Sequence, residues 1–398
     1  MSPPSNRTIG TIWTYRLVVS VSLLWFMVQF LRYVFPPLFG TFQSAYGVSN
    51  TQTGILFTLL MLAYAAVQFP SGVLGDRVGL PTVIFAGAIV FTGAALLAAT
   101  SPSFLVLVLA AVLIGVGTGP HKTVAIPLLA RRYADHPGRV LGVMDTVGQF
   151  GGMVAPLVVV ALAGVFVWQS VFLFGAAVSA VLAISFYWVV RNDSTVGSIG
   201  RATDRATEAE GGEPSYRSVF SERPFLVFVA VTICFTFSWN GVASFLPLYL
   251  TAEKGVSTGV AGVLYSLLFA MTVSQTITGE IGDRAGKLTV AAALFGTMAV
   301  GLGLLLFGGS IVTLVIGTVV VGIGFHGFRP VRDAYLMEII PDGVGGGTLG
   351  GVRTLMTGVG ALSPAMVGAL SDTTGFVPAF GVIGCVVVLG GLLTLSLR

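Results

Sequence analysis

Gly75-Asp76-Arg77-Val78-Gly79 returns later in the chain as Gly282-Asp283-Arg284-Ala285-Gly286. Outward from this pair the two halves keep matching. Phe35-Pro36-Pro37-Leu38-Phe39 is answered by Phe245-Leu246-Pro247-Leu248-Tyr249, and Gly47-Val48-Ser49 by Gly255-Val256-Ser257. Gly54-Ile55-Leu56-Phe57-Thr58 is answered by Gly262-Val263-Leu264-Tyr265-Ser266. Gly117-Thr118-Gly119-Pro120-His121 is answered by Gly322-Ile323-Gly324-Phe325-His326, and Gly142 and Pro156 by Gly350 and Pro364. The order is kept, and matched residue numbers differ by only 205 to 210. A repeat this long means one structural unit built twice. Two such units facing each other leave an interface suited to a ligand site.

Composition says which solvent the units face. Charged residues are 9% of the 398 and apolar residues 55%, against about 25% charged in an ordinary soluble domain. Mean hydropathy is +0.94. The length leaves room for about twelve spans of about 20 residues each. In hydrocarbon every backbone polar group must pair internally, so the spans are helices or a closed barrel. The apolar runs are continuous, not alternating, which selects helices. The predicted fold class is an all-α polytopic membrane protein of twelve transmembrane helices in two pseudo-symmetric six-helix bundles.

The runs place spans at 14–38, 52–74, 81–100, 103–130, 140–163 and 168–190 in the first bundle, residues 1–190. In the second bundle, residues 223–398, they fall at 225–250, 258–281, 288–308, 311–336, 347–370 and 376–396. Between them, residues 191–222 form the one long polar stretch and read as a linker, with a weak signal for a short interfacial helix at Tyr216–Phe220. Basic residues set the orientation. Lys254 alone is placed in a loop on the far side. Arg7, Arg16, Arg77, Arg131, Arg132, Arg139, Arg284, Lys287, Arg398 and the five arginines from Arg191 to Arg223 gather on the other. The positive-inside rule then puts both termini and the linker in the cytoplasm, in a multi-pass protein of the plasma membrane. The same distribution explains the pI of 9.2 without nucleic acid as a partner. Cys234 and Cys385 lie in apolar runs and imply no disulfide. No cleavable signal is expected, because the first apolar run leads straight into further spans. No cofactor or metal set is expected, and a monomer in the bilayer is the default. The pairs Gly115/Gly119, Gly148/Gly152 and Gly347/Gly351 let helices approach closely, for sliding or for static packing.

The doubled architecture, the linker and Gly72-Val73-Leu74-Gly75-Asp76-Arg77-Val78-Gly79 resemble the major facilitator superfamily, whose signature lies between its second and third helices. Gly279-Glu280-Ile281-Gly282-Asp283-Arg284-Ala285-Gly286-Lys287 is similar to its degenerate second copy. Leu80-Pro81 stand where the family pattern continues with basic residues. The resemblance implies a secondary transporter with alternating access. It makes Asp76, Arg77, Asp283 and Arg284 candidates for a latch at the membrane surface, an acid meeting a helix N-terminus or a neighbouring arginine and parting as the bundles rock. Surface turns whose arginines only set topology are the alternative.

Intramembrane charges narrow the function. Arg32 is the only charge in the centre of the first helix, and its repeat counterpart falls near Val242. It either snorkels, bonds carbonyls freed by Pro36 and Pro37, or holds an anionic substrate with its planar fork. A first-helix arginine is similar to what organophosphate and cyanate-type transporters of the superfamily carry. Gln29, Trp239, Asn240, Tyr265 and Gln275 are further candidates for the substrate wall. His121 and Lys122 lie in helix four; Arg329, Arg332 and Asp333 lie in helix ten. Arg329 and Asp333 are four apart and can neutralise each other. Asp145 and Arg353 hold equivalent repeat positions, so they either meet across the interface or pair separately, Asp145 with Arg139 or His121.

The sequence reading is therefore a transporter for a small solute, an organic or small inorganic anion, and not an enzyme. No Walker-type loop occurs, so a gradient supplies the energy. Protons are the default coupling ion, with His121, Asp145 and Asp333 as titratable candidates. Two alternatives stand: proton-coupled efflux of hydrophobic compounds, and a substrate sensor on a transporter fold. Efflux is disfavoured because Ala110-Ala111-Val112-Leu113-Ile114-Gly115 lacks that class's helix-four arginine and Ala155-Pro156 replaces its Gly-Pro.

Overall fold

The computed structural model describes residues 7–193, 223–339 and 354–398. Among them, twelve helices are long and apolar enough to cross a membrane. In the first bundle these are α1 (Tyr15–Tyr46), α2 (Asn50–Val78), α3 (Leu80–Ala99), α4 (Phe104–Arg132), α5 (Pro137–Val165) and α6 (Gln169–Arg191). In the second they are α7 (Arg223–Ala252), α8 (Thr258–Ala285), α9 (Lys287–Phe307), α10 (Ile311–Ile339), α11 (Thr354–Thr374) and α12 (Phe376–Leu395). The predicted spans fall on these helices with ends shifted by a few residues. The linker core, the short interfacial helix and the predicted start of α11 lie outside the described residues.

One helix end differs more. α1 runs on to Tyr46, eight residues past the predicted end at 38. Pro36 and Pro37 cannot donate to the helix ladder, so the chain tightens into a 3-10 turn over Pro36–Leu38. A new helix then winds over Phe39–Tyr46. Two other spans also break inside the membrane: α4 at Gly119-Pro120, and α8 at a 3-10 turn over Met271–Val273.

The sequence repeat is visible in the backbone. Gly79 and Gly286, which end the two motif loops, take φ of 95° and 90°, a region that favours glycine. Ser49 caps α2 by accepting from the Gln52 N–H, and Ser257 caps α8 by accepting from the Val260 N–H. Packing repeats too: α1 lies on α5 as α7 lies on α11, and α3 on α4 as α9 on α10.

The bundles meet on the face opposite the two motif loops. There α2 packs on α11 and α5 on α8. Glycines allow the approach: a Cβ on Gly54 would lie 2.4 Å from the Pro364 carbonyl oxygen, and one on Gly368 2.3 Å from that of Asn50. Asp372 of α11 accepts hydrogen bonds from the Asn50 N–H (3.1 Å), the Thr51 N–H (2.8 Å) and the Thr51 hydroxyl (2.6 Å). A carboxylate from one bundle thus sits on the positive helix end of the other. Thr58 Oγ1 accepts from the Ala365 N–H at 3.0 Å in the same seam. These contacts close the α2–α11 seam on the far face, while a pocket of about 330 Å³ lies beside it between α1, α5, α7 and α8.

Overpacking this seam should wedge it open. Forcing a large side chain into a close-packed contact costs about 1–3 kcal/mol, so Gly54→Leu should shift the population toward a far-side-open state. With Cys234 and Cys385 replaced by alanine, a cysteine at Thr58 should react slowly with an impermeant thiol reagent from the far side. Gly54→Leu should raise that rate about fivefold or more. An unchanged rate would show that the seam is not the barrier.

Candidate functional site

Beneath the sealed seam, between the bundles, lies a cavity of about 360 Å³, within the usual range for a small-molecule site. Its wall comes from the middle and motif-face parts of α1, α2, α4, α5, α7, α8, α10 and α11. Helix breaks border it: Lys122 and Thr123 follow the Gly119-Pro120 interruption, and Gln275 follows the 3-10 turn of α8. Irregular backbone at membrane depth is tolerated where it lines such a space.

Arg32 is 5% exposed and lines the cavity. Its guanidinium donates to the Gln29 side-chain oxygen one helical turn earlier. It lies 4.2 Å from the centre of the Tyr64 ring, 5.6 Å from Tyr33 and 5.8 Å from Trp25. No carboxylate among the described residues pairs with it, and its Nε has no partner. Each aromatic face returns about 0.5–2 kcal/mol toward the roughly 2.5–3.5 kcal/mol that a central arginine costs on insertion scales, but a ring satisfies none of the guanidinium's hydrogen bonds. The side chain does not snorkel to a surface, and the carbonyls beside Pro36 do not receive it. Trp25 is held in place by Gly148, where a Cβ would fall 1.9 Å from the indole.

Gln29, Trp239, Asn240 and Gln275 line the cavity. Tyr265 does not. It is fully buried and its hydroxyl donates to the Ala243 carbonyl, on the packed side of α8, with the 3-10 turn between it and Gln275. His121 also turns away. Buried at 2% exposure, it stacks on Trp25 with ring centres 5.7 Å apart, and its Nε2 lies 3.1 Å from the Val21 carbonyl oxygen.

The charge pairing also differs from the sequence reading. Lys122 pairs with Asp145 of α5 at 2.9 Å, so Asp145 is taken neither by Arg139 nor by His121. Arg329 does not bond Asp333. Its guanidinium lies 4.7 Å above the Trp239 ring, while Arg332 takes Asp333 at 2.7 Å. The broad indole face of α7 captures the arginine that helical spacing alone would give to the acid. Arg353 lies outside the described residues, as does Gly347/Gly351. The pairs Gly115/Gly119 and Gly148/Gly152 make close contacts with Leu60, Val67, Trp25 and Phe269. At the motif loops, Asp76, Arg77, Asp283 and Arg284 are exposed, and Arg284 bonds Glu280 rather than Asp283.

Sequence reasoning missed Trp25, Tyr33, Tyr64, Gln68 and Gln149, all on the wall. Tyr33 accepts a hydrogen bond from Trp239 Nε1 at 3.2 Å, a link between the bundles. A signal existed for three of them: Tyr64 and Gln68 are four apart on an apolar helix, and Gln149 follows Asp145 by four, so each pair shares a helical face.

Two facing helix bundles around a central polar cavity, packed together along the far-side seam, make a secondary transporter. Residues 21–288 and 229–398 match the family model described as Major Facilitator Superfamily. The chain belongs to that superfamily. It is 26% identical to the probable sulfoacetate transporter SauU of Cupriavidus necator, over 88% of this chain and 86% of that protein. It is 25% identical to the hexuronate transporter of Bacillus subtilis, over 87% and 85%. Among solved structures, it overlays a bacterial homolog of the human lysosomal transporter Spinster, in an inward-facing and unoccupied conformation, with a TM-score of 0.80 at 14% identity, covering 100% of this chain and 98% of that one.

The Lys122–Asp145 pair is partly exposed, with side chains 31% and 44% accessible, so its net worth is expected to be modest, about 0.5–1 kcal/mol. Removing one partner should cost more than removing both. Thermal unfolding of Lys122→Met, Asp145→Leu and the double variant should give a coupling of that size. A cycle without coupling would contradict the pairing.

Proposed function

We propose that the protein is a secondary active transporter of a small organic anion, working by alternating access in the plasma membrane with both termini in the cytoplasm. The observation that carries the anion is Arg32: a buried guanidinium in the cavity wall, with aromatic rings and one amide for company and no acidic partner among the described residues. An anionic ligand completes its hydrogen bonds and offsets its charge. Two relatives are named for sulfoacetate and hexuronate, both anions, which supports the same reading.

On this proposal the closed α2–α11 seam and the cavity toward the motif loops correspond to an inward-facing state. In it the motif acids are disengaged: Asp76 and Asp283 are exposed, with no ion pair among the described residues. On this proposal they latch when the motif face closes. Protons are the proposed coupling ion. Asp145 and Asp333, both on the wall and both salt-bridged, are better placed to exchange a proton with substrate binding than His121, which packs behind Trp25.

Uptake of sulfoacetate and glucuronate into proteoliposomes, with and without an imposed proton gradient, tests the proposal. Arg32→Gln removes charge-assisted hydrogen bonds worth about 1.5–3 kcal/mol, so uptake efficiency should fall about 10- to 150-fold. Arg32→Lys keeps the charge but loses the planar fork, and should fall in between. Undiminished uptake by Arg32→Gln, or a substrate that proves neutral or cationic, would overturn the anion reading.

A further inference from the structure

The described cavity wall carries four cations, Arg32, Lys122, Arg329 and Arg332, against two carboxylates, Asp145 and Asp333. Both acids are engaged, by Lys122 at 2.9 Å and by Arg332 at 2.7 Å. They lie near enough to Arg329 to interact with its charge, but neither bonds it. Two guanidiniums are left over, Arg32 from the first bundle and Arg329 from the second. Each rests on aromatic faces instead of a carboxylate.

These two arginines flank one aromatic bridge. Arg32 lies 5.6 Å from the Tyr33 ring centre and Arg329 4.7 Å from that of Trp239, and Trp239 Nε1 donates to the Tyr33 hydroxyl at 3.2 Å. The bridge spans the interface between the bundles. Along it the surplus positive charge is divided between two separated points.

We infer that the transported anion carries two ionised acidic groups, as a dicarboxylate or a sulfocarboxylate does, one group bound by Arg32 and the other by Arg329. The inference rests on the anion reading and goes further, assigning Arg329 as the residue that selects for a second negative charge. A monoanion leaves one guanidinium uncompensated in a desolvated wall, whereas a dianion satisfies both. Because the two arginines belong to different bundles, a dianion also ties the bundles together across the cavity. Bidentate geometry suits both ends, since each guanidinium presents a planar fork to a carboxylate or sulfonate.

The test compares ligands of similar size and different charge on the purified full-length protein: succinate against butyrate, and sulfoacetate against ethanesulfonate. Affinities come from thermal-shift titration at a pH where all acidic groups are ionised. The unsubstituted protein should bind each dianion about tenfold or more tightly than its monoanion counterpart. Arg329→Gln should erase most of that preference by weakening the dianions alone, and Arg329→Lys, which keeps the charge, should retain much of it. Arg32→Gln should weaken both classes. Equal binding of monoanions and dianions overturns the assignment and leaves the anion reading standing, as does Arg329→Gln weakening both classes alike. If none of the four anions binds, both readings fall.

Discussion

Lipid cannot hydrogen-bond a peptide group, and that constraint shapes the rest of the molecule. Each span closes its own backbone bonds by winding into a helix. The spans therefore interact through side chains, and the chain's many small residues decide how near they come. Where α2 meets α11, Gly54 and Gly368 bring backbones into contact, and the Asp372 carboxylate meets the first N–H groups of α2. Those N–H groups are the part of a helix that cannot be satisfied from within. Broken helix adjoins that interior. The Gly119-Pro120 interruption packs against Val67 and Tyr64 and leads into Lys122 of the cavity wall, and the Met271–Val273 turn leads into Gln275, with Val273 itself turned outward.

Within that interior the distribution of charge is uneven in an informative way. Lys122 and Arg332 have carboxylates of their own; Arg32 and Arg329 have rings. A ring face attracts a cation without consuming its hydrogen bonds. Trp25, Tyr64, Tyr33 and Trp239 thus keep two guanidiniums in place while leaving donors available to a ligand. A carboxylate in those positions would hold the arginines more firmly and occupy the site.

Much of the architecture was legible in the residue order. Continuous apolar runs gave the twelve spans because a membrane helix must be long and apolar whatever its neighbours. The repeat gave the bundles, down to the matched positive φ of Gly79 and Gly286. Arg32 stood out because a lone charge in an apolar run is costly wherever it points. Less legible was the extension of α1 past Pro36 and Pro37. A double proline reads as an end, yet proline is well suited to the first turn of a new helix.

The partners of the charges were decided by tertiary structure alone. Spacing along α10 joins Arg329 to Asp333, but the choice between that acid and the Trp239 ring depends on where α7 lies. Lys122 and Asp145 are 23 residues apart on different helices, so no local pattern joins them. Tyr265 and His121 read as polar residues in membrane helices, and only the packing of α7 on α8 and of Trp25 on His121 shows them facing away from the cavity. The sequence determined the solvent, the helices, the repeat and the presence of an uncompensated arginine, because these follow from local chemistry and length. Which charges neutralise each other, and which remain for a ligand, is a property of neighbours in space, set when the two bundles close on each other.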